Sequence, residues 1–216
     1  MRRKISQALF HWKGNPKKMP LVVNGARQVG KTYIIKQFSN VHYENVLYLN
    51  LEIEDSLCKF LETELSPNKI IQYLEAAKGI KIVAGKTLIF FDEIQVCERA
   101  LTSLKYFCEE APEQHVIAAG SLLGVAINRE KYSFPVGKVQ QLNMYPMDFE
   151  EFLWAMNRER LSEEIKLHFA TNEALDQALH EVALDFYKQY MIVGGMPAAV
   201  STFVETGSYQ SVQLIQ

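Results

Sequence analysis

Short apolar runs alternate with helical patterns over the first part of the chain. Five runs are typical of strands: 20–24, 46–51, 87–91, 116–119 and 139–144. The unbroken run at 87–91 predicts a strand buried on both faces, whereas the alternation at 139–144 predicts an outer strand. Residues at helical spacing lie between the runs, as Ile34, Ile35 and Phe38 do. This order predicts an α/β fold, with a mostly parallel sheet sandwiched by helices.

Helix ends are marked by capping and breaking residues. A helix over 4–13 is expected to stop at Gly14, before Asn15 and Pro16. Ser66 and Pro67 predict the start of another helix, with the serine as N-cap, and Gly79 predicts its end.

The pattern becomes almost wholly helical from residue 148. Asp148 is expected to cap a helix, with Glu151 completing a capping box. A second, longer helical stripe contains Leu175, Leu179, Val182, Phe186 and Tyr190. We therefore expect an α/β core over 1–147 and a smaller, lid-like helical region over 148–216. Since the sequence ends without a clear stop signal, we expect it to be truncated before a further C-terminal domain.

Residues 25–32 fit the phosphate-binding pattern GxxxxGK[ST], the Walker A motif, in full. They are Gly25, Ala26, Arg27, Gln28, Val29, Gly30, Lys31 and Thr32. The glycines let the backbone curl so that its N–H groups face a polyphosphate, while Lys31 reaches the β- and γ-phosphates and Thr32 holds Mg²⁺. The strand before the loop and the helix after it complete an anion site. The expected fold class is therefore a P-loop NTPase.

A carboxylate pair follows the strongest predicted strand. Asp92 and Glu93 come directly after the run at 87–91. A carboxylate at the carboxyl end of a parallel strand lies at the same sheet edge as the phosphate loop. Asp92 is expected to hold Mg²⁺ through water, as in a Walker B motif, and Glu93 to orient the attacking water or accept its proton.

The same residues bear on the choice of nucleotide. GTPases of the Ras type carry an Asn-Lys-x-Asp guanine reader late in the domain. Here the dipeptide Asn68-Lys69 is followed by Ile70, and it precedes the acidic pair. We therefore expect ATP, and the glutamate favours an ATPase over a small-molecule kinase, which has less use for a residue that polarises water.

Four stretches together resemble the prokaryotic AAA-type ATP-binding proteins, whose AAA domain precedes a domain of unknown function. The stretches are 25–32, 88–95, 120–123 and 144–153. The last of them, Met144-Tyr-Pro-Met-Asp-Phe-Glu-Glu-Phe-Leu153, is similar to the "YPLSFEEFL" segment that ends the AAA core in that group. The stretches follow the family's order and are distributed through most of residues 1–155.

The resemblance implies further site residues. Ser121 corresponds to the sensor residue near the γ-phosphate, although a Gly-Ser turn explains it equally well. Pro197, in Gly194-Gly195-Met196-Pro197, resembles a proline that packs near adenine in related signal-transduction ATPases; a helix cap followed by a rigid turn is the alternative. The family's Pro-Gly-Arg is replaced here by Pro135-Val136-Gly137-Lys138. Lysine is a poorer charge finger than arginine, and Arg129 is the nearest alternative.

Composition limits the partners and the compartment. The net charge of −2 provides no global field for nucleic acid or for anionic membranes. The three cysteines are scattered, no apolar run approaches the ~18 residues of a membrane span, and the N-terminus has no secretory signal. We therefore expect a cytoplasmic protein that does not bind a membrane. DNA as a partner rests on family analogy alone, and the macromolecular partner is unknown. A homo-oligomer that supplies a finger in trans is left open.

Three hypotheses follow, in order of preference. The first is an AAA-type ATPase that binds Mg-ATP and hydrolyses it slowly. The second is a nucleotide-dependent switch or scaffold with little turnover. The third is a small-molecule phosphotransferase, which passes phosphate to an acceptor other than water.

Overall fold

The computed structural model describes residues 1–121 and 135–215. The chain divides into two compact units. One is Ile5–Met144, and the other joins Met1–Lys4 to Tyr145–Gln216. We call them the sheet unit and the helical unit.

The sheet unit contains a five-stranded parallel sheet in the order β2-β3-β4-β1-β5. The strands are β1 Leu21–Gly25, β2 Asn45–Asn50, β3 Thr87–Asp92, β4 His115–Gly120 and β5 Gln140–Met144. Every residue of β3 and β4 is buried, whereas β2 and β5 at the edges carry partly exposed positions. The predicted α/β fold and the outer position of β5 are confirmed.

One helix precedes β1, and the others lie in the connections between β1 and β4. The helices are α1 Ile5–Gly14, α2 Lys31–His42, α3 Asp55–Thr63, α4 Pro67–Lys78 and α5 Glu98–Glu110, with a short 3₁₀ turn at Ile94–Val96. Gly79 caps α4 with a left-handed backbone, as predicted. The Ser66 side chain makes no capping hydrogen bond, so its predicted role was wrong in that respect, and Pro67 opens the helix at its first turn.

The two faces of the sheet have different neighbours. Ile89 and Phe91 of β3 belong to one large apolar cluster with residues of α3, α4 and α5. Phe90 and Asp92 alternate with them and therefore point to the opposite face. On that face, Lys36 of α2 lies over the ring of Tyr48 in β2.

Parallel pairing brings the strand ends to one edge. Asn24 of β1 is paired with Gly120 of β4, and Asn50 of β2 with Asp92 of β3. Strand β4 lies between β1 and β3. The phosphate-loop sequence, the acidic pair and Ser121 all follow at this edge.

The helical unit contains α6 Phe149–Ala155, α7 Glu159–Thr171, α8 Gln177–Val193, α9 Pro197–Thr206 and α10 Tyr209–Gln213. Its core includes Phe152, Val193, Val200 and Phe203, with Phe186 and Tyr190 packed against it. Leu175 precedes α8, and in the predicted stripe Leu175, Leu179, Phe186 and Tyr190 are half-buried while Val182 is 46% exposed.

The capping prediction at Asp148 is half right. Asp148 Oδ1 accepts a hydrogen bond from the Glu151 N–H at 2.9 Å, which confirms the N-cap. The Glu151 carboxylate, expected to complete a capping box, is engaged elsewhere. It accepts from the Lys4 N–H at 2.6 Å and lies 3.1 Å from Arg3 Nε, and these contacts join the N-terminal residues to the helical unit.

Within the described part of the chain, none of the helices has the length and apolar character needed to cross a membrane.

Strand β5 approaches Gly25 too closely for a side chain, so we expect a substitution at Gly25 to destabilise the fold. A Cβ on Gly25 would lie 2.3 Å from the Met144 carbonyl oxygen, whereas one on Gly14 would contact nothing within 4 Å. We expect Gly25→Ala to lower the free energy of unfolding by about 1–3 kcal/mol through steric overlap between β1 and β5. Gly14→Ala is the matched control and should be neutral or stabilising. Urea denaturation of both variants tests this, and equal stability would contradict the packing.

A buried histidine predicts a pH dependence of stability. Tyr43 Oη lies 2.8 Å from His115 Nδ1, and burial, reinforced by Lys18 and Lys13, lowers the pKa of His115 to about 4. As the pH falls below about 6.5, His115 binds a proton in the unfolded chain but stays neutral in the folded chain. The free energy of unfolding therefore decreases as the pH falls towards 4. The loss attributable to His115 between pH 7 and 5.5 is about 1 kcal/mol.

The variant His115→Gln isolates this effect. We expect its free energy of unfolding to change less between pH 7 and pH 5.5 than that of the wild type. An identical pH slope in both proteins would show that His115 does not cause the dependence.

Candidate nucleotide site

The phosphate-loop sequence connects the end of β1 to the start of α2. Gly30 precedes the helix with φ 94°, a conformation that favours glycine. No side chain caps α2, and its first turn has no acidic residue. Its first N–H groups therefore suit an external anion.

Other loop residues differ in exposure. Ala26, Arg27 and Gln28 are exposed, and the Arg27 guanidinium lies 4.0 Å from Glu52. The side chain of Val29 is fully buried, so Val29 can offer a phosphate only its backbone.

Lys31 bonds to its own loop. Its Nζ donates to the carbonyl oxygens of Gly25 at 2.9 Å and Ala26 at 2.8 Å, and only 7% of the residue is exposed. Burial lowers the pKa of Lys31, while the charges of Glu93 and Asp92 act in the opposite direction. The structure thus places the loop cation in the field of the acidic pair.

Asp92 joins the two halves of the site. Its Oδ2 accepts hydrogen bonds from Thr32 Oγ1 at 2.8 Å and from Tyr48 Oη at 3.0 Å, and its Oδ1 accepts from the Glu93 N–H at 3.2 Å. The residue is 3% exposed. Thr32 and Asp92, sixty residues apart in sequence, therefore meet as predicted from the sheet edge.

Glu93 has an unusual backbone conformation. Its φ is 53°, and its Oε2 accepts a hydrogen bond from Gln95 Nε2 at 2.5 Å. Among the described residues, four non-glycine residues have positive φ: Gln28, Glu93, Asn157 and Asn172. Asparagine tolerates this conformation readily, but glutamine and glutamate do so less. The two less tolerant residues lie in the two predicted halves of the site.

Polar atoms without partners lie at the same sheet edge. Ser121 is 3% exposed, and its Oγ has no hydrogen-bond partner among the described residues. The same holds for Asn24 Oδ1 and Gln95 Oε1. Buried polar atoms normally have partners, so this edge has unused capacity to bind a polar ligand or water.

The residues fit a magnesium ion shared with a nucleotide. Within residues 1–121 and 135–215, no cluster of three or more His, Cys, Asp or Glu could hold a metal alone. Mg²⁺ needs no such cluster, because it is usually bound by one or two protein oxygens together with substrate phosphates. The Thr32 hydroxyl has two lone pairs besides its proton, so it can donate to Asp92 and still ligate a cation.

The sequence also indicated Pro197, Lys138 and Arg129 as candidate site residues. Pro197 is the first residue of α9 in the helical unit, and a Cβ on nearby Gly195 would lie 2.1 Å from the Met147 carbonyl oxygen. Gly195 therefore has a packing reason of its own. Lys138 Nζ forms an ion pair with Glu109 at 2.9 Å. Arg129 lies outside the described residues.

Sequence reasoning missed Tyr48 and Gln95. Tyr48 was recognised only as part of a strand, since its contact with Asp92 depends on the register of β2 against β3. A weak signal existed for Gln95, because a polar residue two positions after Glu93 can reach it across a tight turn.

The parallel sheet, its strand order and the loop between β1 and α2 define a P-loop NTPase. Residues 17–153 match the sequence profile of the AAA domain family, and the chain belongs to that family of nucleotide-binding proteins. No curated protein sequence matches this chain.

Two solved structures show the same fold. One is a signal transduction ATPase with numerous domains and a tetratricopeptide repeat sensor from Pyrococcus horikoshii, with TM-score 0.50 and 17% identity over 100% of this chain and 32% of that one. The other is the replication initiator DnaA bound to AMPPCP and single-stranded DNA, with TM-score 0.50 and 13% identity over 92% of this chain and 58% of that one. The chain thus spans less than two thirds of either protein.

Proposed function

We propose that this chain binds Mg-ATP at the loop 25–32 and hydrolyses it slowly. The observation that carries this proposal is the 2.8 Å contact between Thr32 Oγ1 and Asp92 Oδ2, beside the loop lysine. It joins a hydroxyl and a carboxylate, the oxygen groups that a nucleotide-bound Mg²⁺ requires, at the N-terminus of α2.

Each residue has a distinct role in this proposal. Lys31 leaves the carbonyl oxygens of its own loop and binds the β- and γ-phosphates. Thr32 and Asp92 hold Mg²⁺, which neutralises phosphate charge when bound. Glu93 orients the attacking water and accepts its proton, and Ser121 offers its unpartnered hydroxyl to the γ-phosphate or to that water.

Turnover is slow in this proposal because little positive charge is available to stabilise the transition state. A cationic finger that neutralises the negative charge of the transition state is worth about 10³–10⁵ in rate. Lys138, one candidate, is engaged by Glu109. We propose that Arg129 or a second copy of the chain supplies the missing cation.

A nucleotide-dependent switch is the second candidate. Apolar side chains on α8 are well exposed, including Tyr187 at 45%, Met191 at 64% and Ile192 at 59%. Such a surface suits a protein partner whose docking depends on the nucleotide state. ATP binding without turnover, with or without DNA, would favour this function over hydrolysis.

We also propose a partner and a compartment. DNA is proposed by analogy alone, since the DnaA structure contains single-stranded DNA. The three cysteines are free thiols, which suits the reducing cytoplasm. Measuring ATP turnover with and without DNA tests whether DNA is a partner.

The loop lysine provides the test of nucleotide binding. We expect Lys31→Ala to weaken ATP binding by about a hundredfold or more, because each charged hydrogen bond to phosphate is worth about 1.5–3 kcal/mol. Calorimetric titration measures this, with Lys69→Ala as the control at an exposed lysine of α4. Equal ATP affinity in both variants would refute the assignment of the loop.

Binding and hydrolysis separate at Glu93. We expect Glu93→Gln to keep ATP affinity and to lose hydrolysis by about 10²–10⁴, the typical contribution of a general base. Phosphate release in single-turnover experiments measures this, and Glu110→Gln on the exposed end of α5 is the control. Unchanged hydrolysis in Glu93→Gln would exclude Glu93 as the base.

A further inference from the structure

Tyr48 lies at the centre of β2 on the same sheet face as Asp92. It is paired with Phe90 of β3, and the two rings lie 5.4 Å apart. Asp92 is two residues beyond Phe90, and side chains two residues apart point to one face of a strand. The tyrosine therefore extends along the sheet towards the carboxyl edge, where its hydroxyl reaches Asp92 Oδ2 at 3.0 Å.

The tyrosine ring is fixed from both sides. Phe90 packs beside it, and Lys36 Nζ of α2 lies 3.4 Å from its centroid in a cation–π contact. A tyrosine hydroxyl carries its proton at neutral pH, so it can donate a hydrogen bond to the carboxylate.

The two donors to Asp92 Oδ2 differ in what else they do. Thr32 Oγ1 is itself a magnesium ligand under the proposed function, so it serves the cation as well as the carboxylate. Tyr48 is not a ligand under that function, and its ring is packed against Phe90 and Lys36. Together with the Glu93 N–H on Oδ1, Tyr48 restricts rotation of the carboxylate before any metal binds.

We propose that Tyr48 is a positioning residue of the magnesium site, and that its hydroxyl orients Asp92 for the cation held with Thr32. This inference rests on the proposed Mg-ATP function. Partners of this kind commonly contribute about 10–100-fold to metal affinity.

The test removes the hydroxyl and keeps the ring. Tyr48→Phe retains the contacts with Phe90 and Lys36, while Tyr43→Phe, the matched control, removes a tyrosine hydroxyl that bonds to His115. Mn²⁺ serves as the spectroscopic probe, and its affinity for the protein–ADP complex is measured by electron paramagnetic resonance. We expect about tenfold weaker Mn²⁺ binding in Tyr48→Phe and no change in Tyr43→Phe.

Two further measurements separate positioning from a general structural effect. ADP affinity in EDTA should be the same in Tyr48→Phe and in the wild type, because the hydroxyl acts only through the metal ligand. Hydrolysis by Tyr48→Phe should recover towards the wild-type rate as Mg²⁺ is raised to saturation, since kcat depends on an occupied site.

The outcomes distinguish the two proposals. If the wild type shows metal-dependent ADP binding and Tyr48→Phe has unchanged Mn²⁺ affinity, the positioning role is overturned and the proposed function stands. The positioning role is also overturned if Tyr48→Phe weakens ADP binding in EDTA as much as it weakens Mn²⁺ binding. It is overturned as well if Tyr43→Phe loses as much Mn²⁺ affinity as Tyr48→Phe does. If the wild type binds no nucleotide, the proposed function fails and the inference fails with it.

Discussion

The buried carboxylate of Asp92 is the contact on which the arrangement of the site depends. A buried charge without partners would cost several kcal/mol, and Asp92 is 3% exposed. Three donors compensate for that cost, from Thr32 in α2, Tyr48 in β2 and the backbone of Glu93 after β3. Because these donors come from three separate elements, satisfying one carboxylate fixes the first turn of α2 against two strands of the sheet.

The backbone on either side of this contact carries strain. Gln28 and Glu93 both adopt positive φ, which costs a non-glycine residue about 1–3 kcal/mol. Such conformations persist where the surroundings impose them, and they concentrate at functional sites. Here the bond from Gln95 to Glu93 and the close approach of Gly25 to Met144 restrict the two segments.

The family assignment limits the chemistry without deciding it. Folds of this class host many activities, so the activity must be argued from the site itself. The same loop, carboxylate pair and unpartnered polar atoms serve a hydrolase or a nucleotide-dependent switch equally well. The difference between them lies in one positive charge at the γ-phosphate, a matter of about 10³–10⁵ in rate. Lys138, which forms an exposed ion pair with Glu109, is a poor source of that charge because a lysine cannot bind a phosphate through two parallel hydrogen bonds.

The sequence alone determined the AAA-type family, the α/β fold and the two segments that meet at the sheet edge. These features are local: an eight-residue loop, apolar strand runs, and the rule that parallel strands end together. Sequence reasoning erred where a side chain had a competing partner, as Glu151 did when it bonded to Lys4 and Arg3 and not within its own helix. It also missed Tyr48, whose contact with Asp92 requires the register of β2 on β3 and the tilt of one ring along the sheet. Only the tertiary structure decided these points, because long-range contacts depend on which strands pair and in which register, and spacing along one chain encodes neither.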